Sequence, residues 1–248
     1  MDMIANVIDT IVAFFVTGGA FMYPILIVFA FGLAIAIERY IKLVKESKIN
    51  RRMWEKIHPV LTDGDFEQAR EMVENDDEST ISKLLSLGLE RQGKVRRRED
   101  IEIAMEEGMM EIIPQLEKRT PYVALLANIS TLLGLLGTIM GLIAAFTAVA
   151  KANPAEKADL LSASISVAMN TTAFGLMAGI PLLIVHAYLT SKTAEIVDSL
   201  EMASVKVLNI ISLTTKRQND AKVDIASTRS AKKTGKKPDN EENSEAQE

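Results

Sequence analysis

A ladder of polar side chains lies within a stretch that contains no acid or base. Residues 166–181 read "SVAMNTTAFGLMAGIP" and carry Ser166, Asn170, Thr171 and Thr172. Hydroxyl and amide groups donate and accept hydrogen bonds, but they do not change protonation near neutral pH. Such a polar wall tolerates an ion without binding a proton itself. Either this chain conducts no ions, or another helix brings the carboxylate that carries them.

Small residues accompany the polar ladder. In "LLGLLGTIMGLIAAF", residues 132–146, glycines flank Thr138 at helical spacing, and further glycines follow Thr172 in the same way. These glycines are Gly134, Gly137, Gly141, Gly175 and Gly179. Membrane helices use small residues and hydroxyls to approach one another closely. Helix packing and a polar ion passage therefore both explain the pattern.

Three stretches without Asp, Glu, Lys or Arg supply the elements that position these residues. They lie between Asp9 and Glu38, between Arg119 and Lys151, and between Asp159 and Lys192. Each is longer than the roughly 20 residues that a helix needs to cross the hydrocarbon of a bilayer. The sequence therefore predicts an all-α membrane protein with three transmembrane helices and long helical extensions.

Composition excludes several classes of function. The chain has no cysteine, which rules out thiolate metal sites, and its formal charge of -5 argues against a nucleic-acid partner. Its two histidines, His58 and His186, are too few for a histidine-rich metal site. No nucleophile with a nearby base and no phosphate-cradling loop is evident, so we expect neither an enzyme nor a cofactor. His186 lies near the predicted inner boundary, where we expect a structural or hydrogen-bonding role.

Basic residues set the predicted orientation. Lysines and arginines cluster just after the first span, and Lys192 follows the third, whereas the first residues of the chain have none. Because basic loops stay in the cytoplasm, we expect the N-terminus outside and the C-terminus inside. The acids near the N-terminus also argue against a cleavable signal peptide.

The predicted layout has eight segments. They are an N-terminal interfacial helix (1–20) broken by Gly18 and Gly19, transmembrane helix 1 (21–41), a cytoplasmic helical domain (42–119), transmembrane helix 2 (120–150), a periplasmic loop (151–160), transmembrane helix 3 (161–191), a cytoplasmic helix (192–215) and a disordered tail (216–248). Glu38 and Arg39 fall where the first span leaves the membrane. We expect these structural charges to pair within the oligomer or with the inner stretch of the third span, unless they only reach to water.

The spans resemble the MotA/TolQ/ExbB proton-channel family, and within it the ExbB/TolQ branch. The resemblance is carried by "GGAFMYPILIVFAFGLAIAIERYIKL", "LLGLLGTIMGLIAAF" and "SISVAMNTTAFGLMAGIPLLIVHAYL", and it covers residues 18–211. It implies a homopentamer in the bacterial inner membrane around the helices of an ExbD/TolR-type partner whose aspartate carries the proton. The family's pore threonines fall on Thr138 and Thr172, and Asn170 and Thr171 extend the expected lining of the ion pathway.

The same resemblance implies a motor subunit. Proton flow would drive work on the cell envelope through the ExbD/TolR-type partner, often with a TonB-type protein. The alternatives are a passive membrane scaffold, and a TolQ-like, gliding or stator-type motor subunit with another client. In the best-known ExbB and TolQ members a Glu stands five residues before the pore threonine, and here Val167 takes that place. Sodium in place of protons also stays open.

Overall fold

The structure, a computed structural model, describes residues 14–15, 17–92 and 98–234. Within these residues the chain forms six α-helices. They are α1 (Met22–Asp63), α2 (Phe66–Glu74), α3 (Thr80–Arg91), α4 (Arg98–Glu117), α5 (Thr120–Lys151) and α6 (Lys157–Thr234). Three segments are long and apolar enough to cross a membrane, in α1, in α4 and α5 together, and in α6. The prediction of an all-α membrane protein with three spanning helices is confirmed.

The described helices divide into two compact units. The first comprises residues up to Arg52 together with Met109–Glu201, and the second comprises Met53–Gly108 together with the residues from Met202 onward. The apolar segments of α1, α5 and α6 lie in the first unit. The expected ion-pathway residues all belong to it.

A helix break in the first unit separates α4 from α5. Arg119 has a φ of 69°, in the left-handed region that L-residues seldom adopt, and it directly precedes α5. Pro121 stands at the second position of α5, where its missing N–H costs nothing because no acceptor is available there. The "KRTP" sequence thus ends one helix and starts the next.

The second unit has its own apolar core. Its largest fully buried side chains come from α1, α3 and α4, and they are Ile57, Leu61, Leu84, Leu85, Leu89 and Met105. Short side chains cap its two small helices, with Asp65 accepting from the Gln68 backbone N–H at 3.0 Å and Ser79 accepting from that of Ser82 at 3.2 Å. These caps supply acceptors that the first helical turns lack.

The structure differs from the expected layout towards the C-terminus. α6 runs without a break to Thr234, whereas we expected a disordered tail from residue 216. Polarity alone suggested the tail, but residues 216–234 contain no glycine or proline and are rich in Lys, Ala and Arg, which favour helix. The first breakers are Gly235 and Pro238. The remainder of the expected tail, and residues 1–13 of the expected interfacial helix, lie outside the described residues.

The connection between α5 and α6 is also shorter than expected. The helices end at Lys151 and begin again at Lys157, so only residues 152–156 join them, against an expected loop of 151–160. The helical backbone of α6 begins before the apolar segment does, and Asp159 in its first turn interacts favourably with the helix dipole.

Candidate ion-pathway site between two membrane helices

The backbones of α5 and α6 meet at two glycines. A Cβ atom added to Gly175 would lie 2.8 Å from Gly134 Cα and 2.9 Å from the Ser130 carbonyl oxygen. A Cβ added to Gly134 would lie 3.0 Å from Gly175 Cα. Because the atoms in the way belong to backbone, no side-chain movement relieves such a clash. The two helices therefore cross at a contact that only glycine permits at both positions.

The other predicted packing glycines line the same contact. A Cβ on Gly141 would lie 2.9 Å from the Ala168 Cβ, and one on Gly179 would lie 3.0 Å from the Ala127 carbonyl oxygen. Gly137 faces the methyl group of Thr171. The α5 and α6 glycines thus pack on each other within one protomer, as expected for membrane helices with small residues.

Thr138 and Thr172 lie next to this crossing and bond to each other. Their hydroxyls form a direct hydrogen bond, and the Thr172 hydroxyl also donates to the Gly134 carbonyl oxygen at 3.0 Å. The Thr138 hydroxyl lies 3.3 Å from the same carbonyl oxygen and 3.4 Å from that of Ala168. Both side chains are half-buried. The structure therefore brings together the two threonines that the family resemblance singled out.

The hydrogen-bond count of this pair decides what it can bind. Each hydroxyl has one proton to donate and two lone pairs to accept with. One proton serves the Thr138–Thr172 bond and the other serves a backbone carbonyl, so both are used inside the protein. The two hydroxyl oxygens still have lone pairs that can accept further hydrogen bonds. The pair therefore suits a guest that donates, such as a protonated carboxylic acid or a hydronium ion, and not an ionised carboxylate.

Thr171 faces another direction. Its side chain is buried, and its hydroxyl lies within hydrogen-bond distance of the Gly18 carbonyl oxygen, at 2.8 Å, and of the Val167 carbonyl oxygen, at 2.9 Å. The turn at Gly18 and Gly19 thus lies against α6, and the rings of Phe14 and Phe15 pack edge-on against Phe174, with centroids 6.3 and 4.8 Å away. Thr171 joins α6 to the residues before α1, apart from the threonine pair.

Asn170 also stands apart from the threonine pair. It is half-buried, and its side chain has no hydrogen-bond partner among the described residues. Gly19, whose φ of 76° favours glycine, lies close to Val167, since an added Cβ would be 3.2 Å from the valine Cγ1. Of the four predicted lining residues, only Thr138 and Thr172 contact each other.

The two boundary charges hold the break between α4 and α5. Glu38 accepts two hydrogen bonds from the Arg119 guanidinium, at 2.7 and 2.8 Å, with both side chains about half exposed. Arg39 is only 2% exposed, and its guanidinium donates to the Leu116 carbonyl oxygen. Near the end of a helix such carbonyls lack intrahelical partners.

The partner expected for these charges within the chain was therefore wrong. We expected the inner stretch of the third span, whereas Glu38 pairs with Arg119 just before α5 and Arg39 with Leu116 near the end of α4. The "KRTP" sequence, in which proline marks a helix start, is the signal that could have identified Arg119 as a residue at a helix junction. No local sequence pattern indicates that Arg39 is buried. The residues on either side of it, Glu38 and Tyr40, are exposed.

Comparison with known proteins places this geometry in a family. The chain is 26% identical over 207 residues to a biopolymer transport protein described as an ExbB homolog of Methanothermobacter thermautotrophicus, covering 82% of this chain and 71% of that protein. It is 34% identical over 93 residues to the Tol-Pal system protein TolQ of Haemophilus influenzae, covering 38% of this chain and 40% of that protein.

The matched region contains the threonine pair and the glycine crossing. Residues 76–202 match the MotA/TolQ/ExbB proton channel family, a range that includes all of α5 and the apolar part of α6. This match accounts for just over half of the chain, and the names of both relatives agree with it. The chain is a multi-pass membrane protein that belongs to the MotA/TolQ/ExbB proton channel family, as an ExbB/TolQ-type subunit.

Proposed function

We propose that this chain is the ion-conducting subunit of an ExbB/TolQ-like motor in the bacterial inner membrane. Five copies surround the membrane helices of an ExbD/TolR-type protein, whose intramembrane aspartate carries the proton. Proton flow drives mechanical work on the cell envelope, delivered to outer-membrane transport through a TonB-type protein. The N-terminus faces the periplasm and the C-terminus the cytoplasm, which the basic residues after the first and third spans support.

The observation that carries this proposal is the state of the threonine pair. The apolar stretches of α5 and α6 contain no Asp, Glu, Lys or Arg, so these spans have no carboxylate of their own. Thr138 and Thr172 use their protons internally and keep lone pairs for a donor. A protonated aspartic acid on a partner helix fits that requirement. When this aspartic acid ionises, it loses the hydrogen bond that it donates to the threonines. The threonine pair therefore favours the protonated form of the acid over the ionised form.

A passive scaffold is the second candidate. The glycine crossing and the internal hydrogen bonds of the threonines are what helix packing alone also produces. In the motor, the threonines contact the carboxyl group of the partner's aspartate; in the scaffold, they do not. The client is a separate question, and a TolQ-like, gliding or stator-type motor with another client is the further alternative; Val167 does not distinguish these, because the best-known ExbB and TolQ members both have a Glu at that place.

Proton flux through a reconstituted complex tests the proposal. The chain and a single-span partner with an intramembrane aspartate are placed in proteoliposomes, and the decay of an imposed pH gradient is followed. We expect decay only with both proteins, and its loss when the partner's aspartate is replaced by asparagine. A sodium gradient in place of the proton gradient identifies the ion. Equal decay with the aspartate and the asparagine partner would support the scaffold.

A further inference from the structure

A pocket lies at one end of the groove between α5 and α6, in the first unit. It encloses about 420 Å³ where α4 ends, α5 begins and α6 passes beside them. Apolar side chains such as Ile113, Pro121 and Val197 make up much of its wall. Its polar lining consists of Glu117, Thr120, His186, Thr190, Thr193 and Asp198. The threonine pair and the glycine crossing do not take part in it.

One of the hydroxyl groups that line this pocket is buried and has no hydrogen-bond partner in the described part of the chain. Thr120 is 5% exposed, and its Oγ1 has no hydrogen-bond partner among the described residues. A buried hydroxyl left unpaired lowers the stability of the fold. Such groups in native proteins usually face a bound water or ion. The pocket that Thr120 lines therefore suits polar content.

His186 lines the pocket from α6. It is half-buried, and its imidazole has no hydrogen-bond partner among the described residues. Thr172, Gly179 and His186 follow one another at seven-residue steps and so share a helix face. At 1.5 Å per residue, His186 lies about 21 Å along the axis from Thr172. The pocket thus continues the face that carries the threonine pair.

The remaining polar groups of the pocket are acceptors. Glu117 contributes a carboxylate from α4, Asp198 contributes one from α6, and α5 contributes no titratable side chain. The hydroxyls of Thr190 and Thr193 donate to the carbonyl oxygens of the preceding turn, each at 3.0 Å, so only their lone pairs remain. No lysine or arginine lines the pocket. Such a lining attracts positively charged species that carry protons.

We propose that this pocket is where the proton leaves the ion pathway on the cytoplasmic side, with His186 as the group that accepts it. A free ring nitrogen of His186 takes the proton and forms an imidazolium. The imidazolium then gives the proton to a water molecule, forming hydronium and restoring the neutral ring. This inference rests on the proposed function, because it assumes partner-dependent proton flow and an inward-facing pocket.

Chemical rescue tests the role of His186. In the reconstituted complex, His186→Ala should lower partner-dependent proton flux about a hundredfold, the lower end of the range that positioned acid–base groups contribute. Imidazole added on the side that corresponds to the cytoplasm should restore much of the flux, because it occupies the vacated space and carries the same proton. His58→Ala removes the chain's other histidine, whose ring lies tilted against Trp54 in the second unit, and should leave the flux unchanged.

A second variant covers the case in which His186→Ala fails to assemble. Asp198 is exposed, so Asp198→Asn should not disturb folding. It removes one of the two carboxylates that line the pocket, about 18 Å along α6 from His186, and should lower partner-dependent flux, because the pocket then attracts hydronium less strongly. A purely structural role of the pocket would leave the flux unchanged.

The outcomes separate the inference from the proposed function. Wild-type flux that depends on the partner, together with unchanged flux in both His186→Ala and Asp198→Asn, overturns the pocket proposal and leaves the function standing. Absence of partner-dependent flux in the wild type overturns the proposed function, and the pocket inference with it.

Discussion

Arg39 shows how a charged residue can hold two helix ends at a membrane boundary. Its guanidinium is almost fully buried and donates to the Leu116 carbonyl oxygen near the end of α4. The adjacent Glu38 binds Arg119, which starts α5. Two consecutive residues of α1 therefore fix the break between two other helices. In these contacts the boundary charges meet the end of α4 and Arg119 before α5, and not the inner stretch of the third span.

Replacing Arg39 should loosen this junction. Arg39→Met keeps much of the side-chain length but leaves the Leu116 carbonyl without its donor, at a cost of roughly 1–3 kcal/mol. We expect a lower melting temperature in detergent and faster amide exchange around residues 117–122. Arg39→Lys keeps a donor and serves as the control. A higher melting temperature in Arg39→Met would mean that relief of a buried charge outweighs the lost hydrogen bond.

Asp76 gives the second unit a pH-dependent contribution to stability. Burial raises the pKa of this carboxyl, but hydrogen bonds from Ser79, Ser82 and the Glu78 backbone outweigh that effect, and its pKa is lowered overall. A lowered folded-state pKa means that the stabilisation is fully present above the ordinary Asp pKa of about 3.9. It is lost as the pH falls through the lower, folded-state value.

Comparing Asp76→Asn with the wild type tests this dependence. The full chain in detergent should melt at a lower temperature when Asp76 is replaced, and the difference should shrink as the pH falls below about 4. Asp77→Asn, at an exposed neighbouring position, is the matched control. A difference that stays constant down to the lowest accessible pH would contradict the assigned role of the carboxylate.

At the scale of elements, the contact between α5 and α6 depends on backbone approach at Gly134 and Gly175. Gly134→Ala and Gly175→Ala each place a Cβ against the backbone of the opposite helix. We expect either variant to separate the helices, to lower the melting temperature and to break the bond between Thr138 and Thr172. The readouts are melting in detergent and the yield of folded protein.

Gly32→Ala is the matched control for these variants. Its added Cβ would lie 2.7 Å from the Leu182 Cδ1, which is the far end of a flexible side chain and can move aside. It should therefore melt close to the wild type. If Gly134→Ala and Gly175→Ala also melt like the wild type, the close backbone contact does not determine stability.

The sequence predicts an element well where its pattern of charge and residue spacing is strong. The absence of charge over more than 20 residues identified all three spans, and the helical spacing of glycines near Thr138 and Thr172 indicated close helix packing as one explanation. The helix over residues 216–234 was not predicted, because polarity and helix propensity point in opposite directions there. The pocket around Thr120 could not be foreseen, since its residues come from three helices whose relative positions no local pattern records.

At the scale of the whole molecule, the structure changes the reason for expecting an oligomer. We expected glycine faces to require other copies, because polar groups would otherwise face lipid. In the structure those faces are covered within one protomer. The proposal of a pentamer now rests on the family and on a partner carboxyl group that must reach the half-buried Thr138 and Thr172.

Native mass spectrometry checks the assembly directly. Released from detergent, the chain should appear as a homo-oligomer, with five copies as the expected number, and the partner should add to that assembly without replacing a subunit. The double variant Gly134→Ala/Gly175→Ala should reduce the oligomer by weakening each protomer. A wild-type chain that is monomeric at every concentration would be incompatible with the proposed motor.

The most direct test of the central claim is proton flux through complexes in which one threonine of the pair is changed. Thr172→Val and Thr138→Val keep the shape of the side chain and delete the hydroxyl, whereas Thr172→Ser keeps the hydroxyl and is the control. The claim predicts that both valine complexes assemble normally, since a lost interhelical hydrogen bond costs only about 0.6 kcal/mol on average. It also predicts that they lose most of the partner-dependent flux, because a buried carboxyl without its acceptor cycles poorly between protonation states. Near-normal flux in both valine complexes, at confirmed oligomeric state, would show that Thr138 and Thr172 serve helix packing alone.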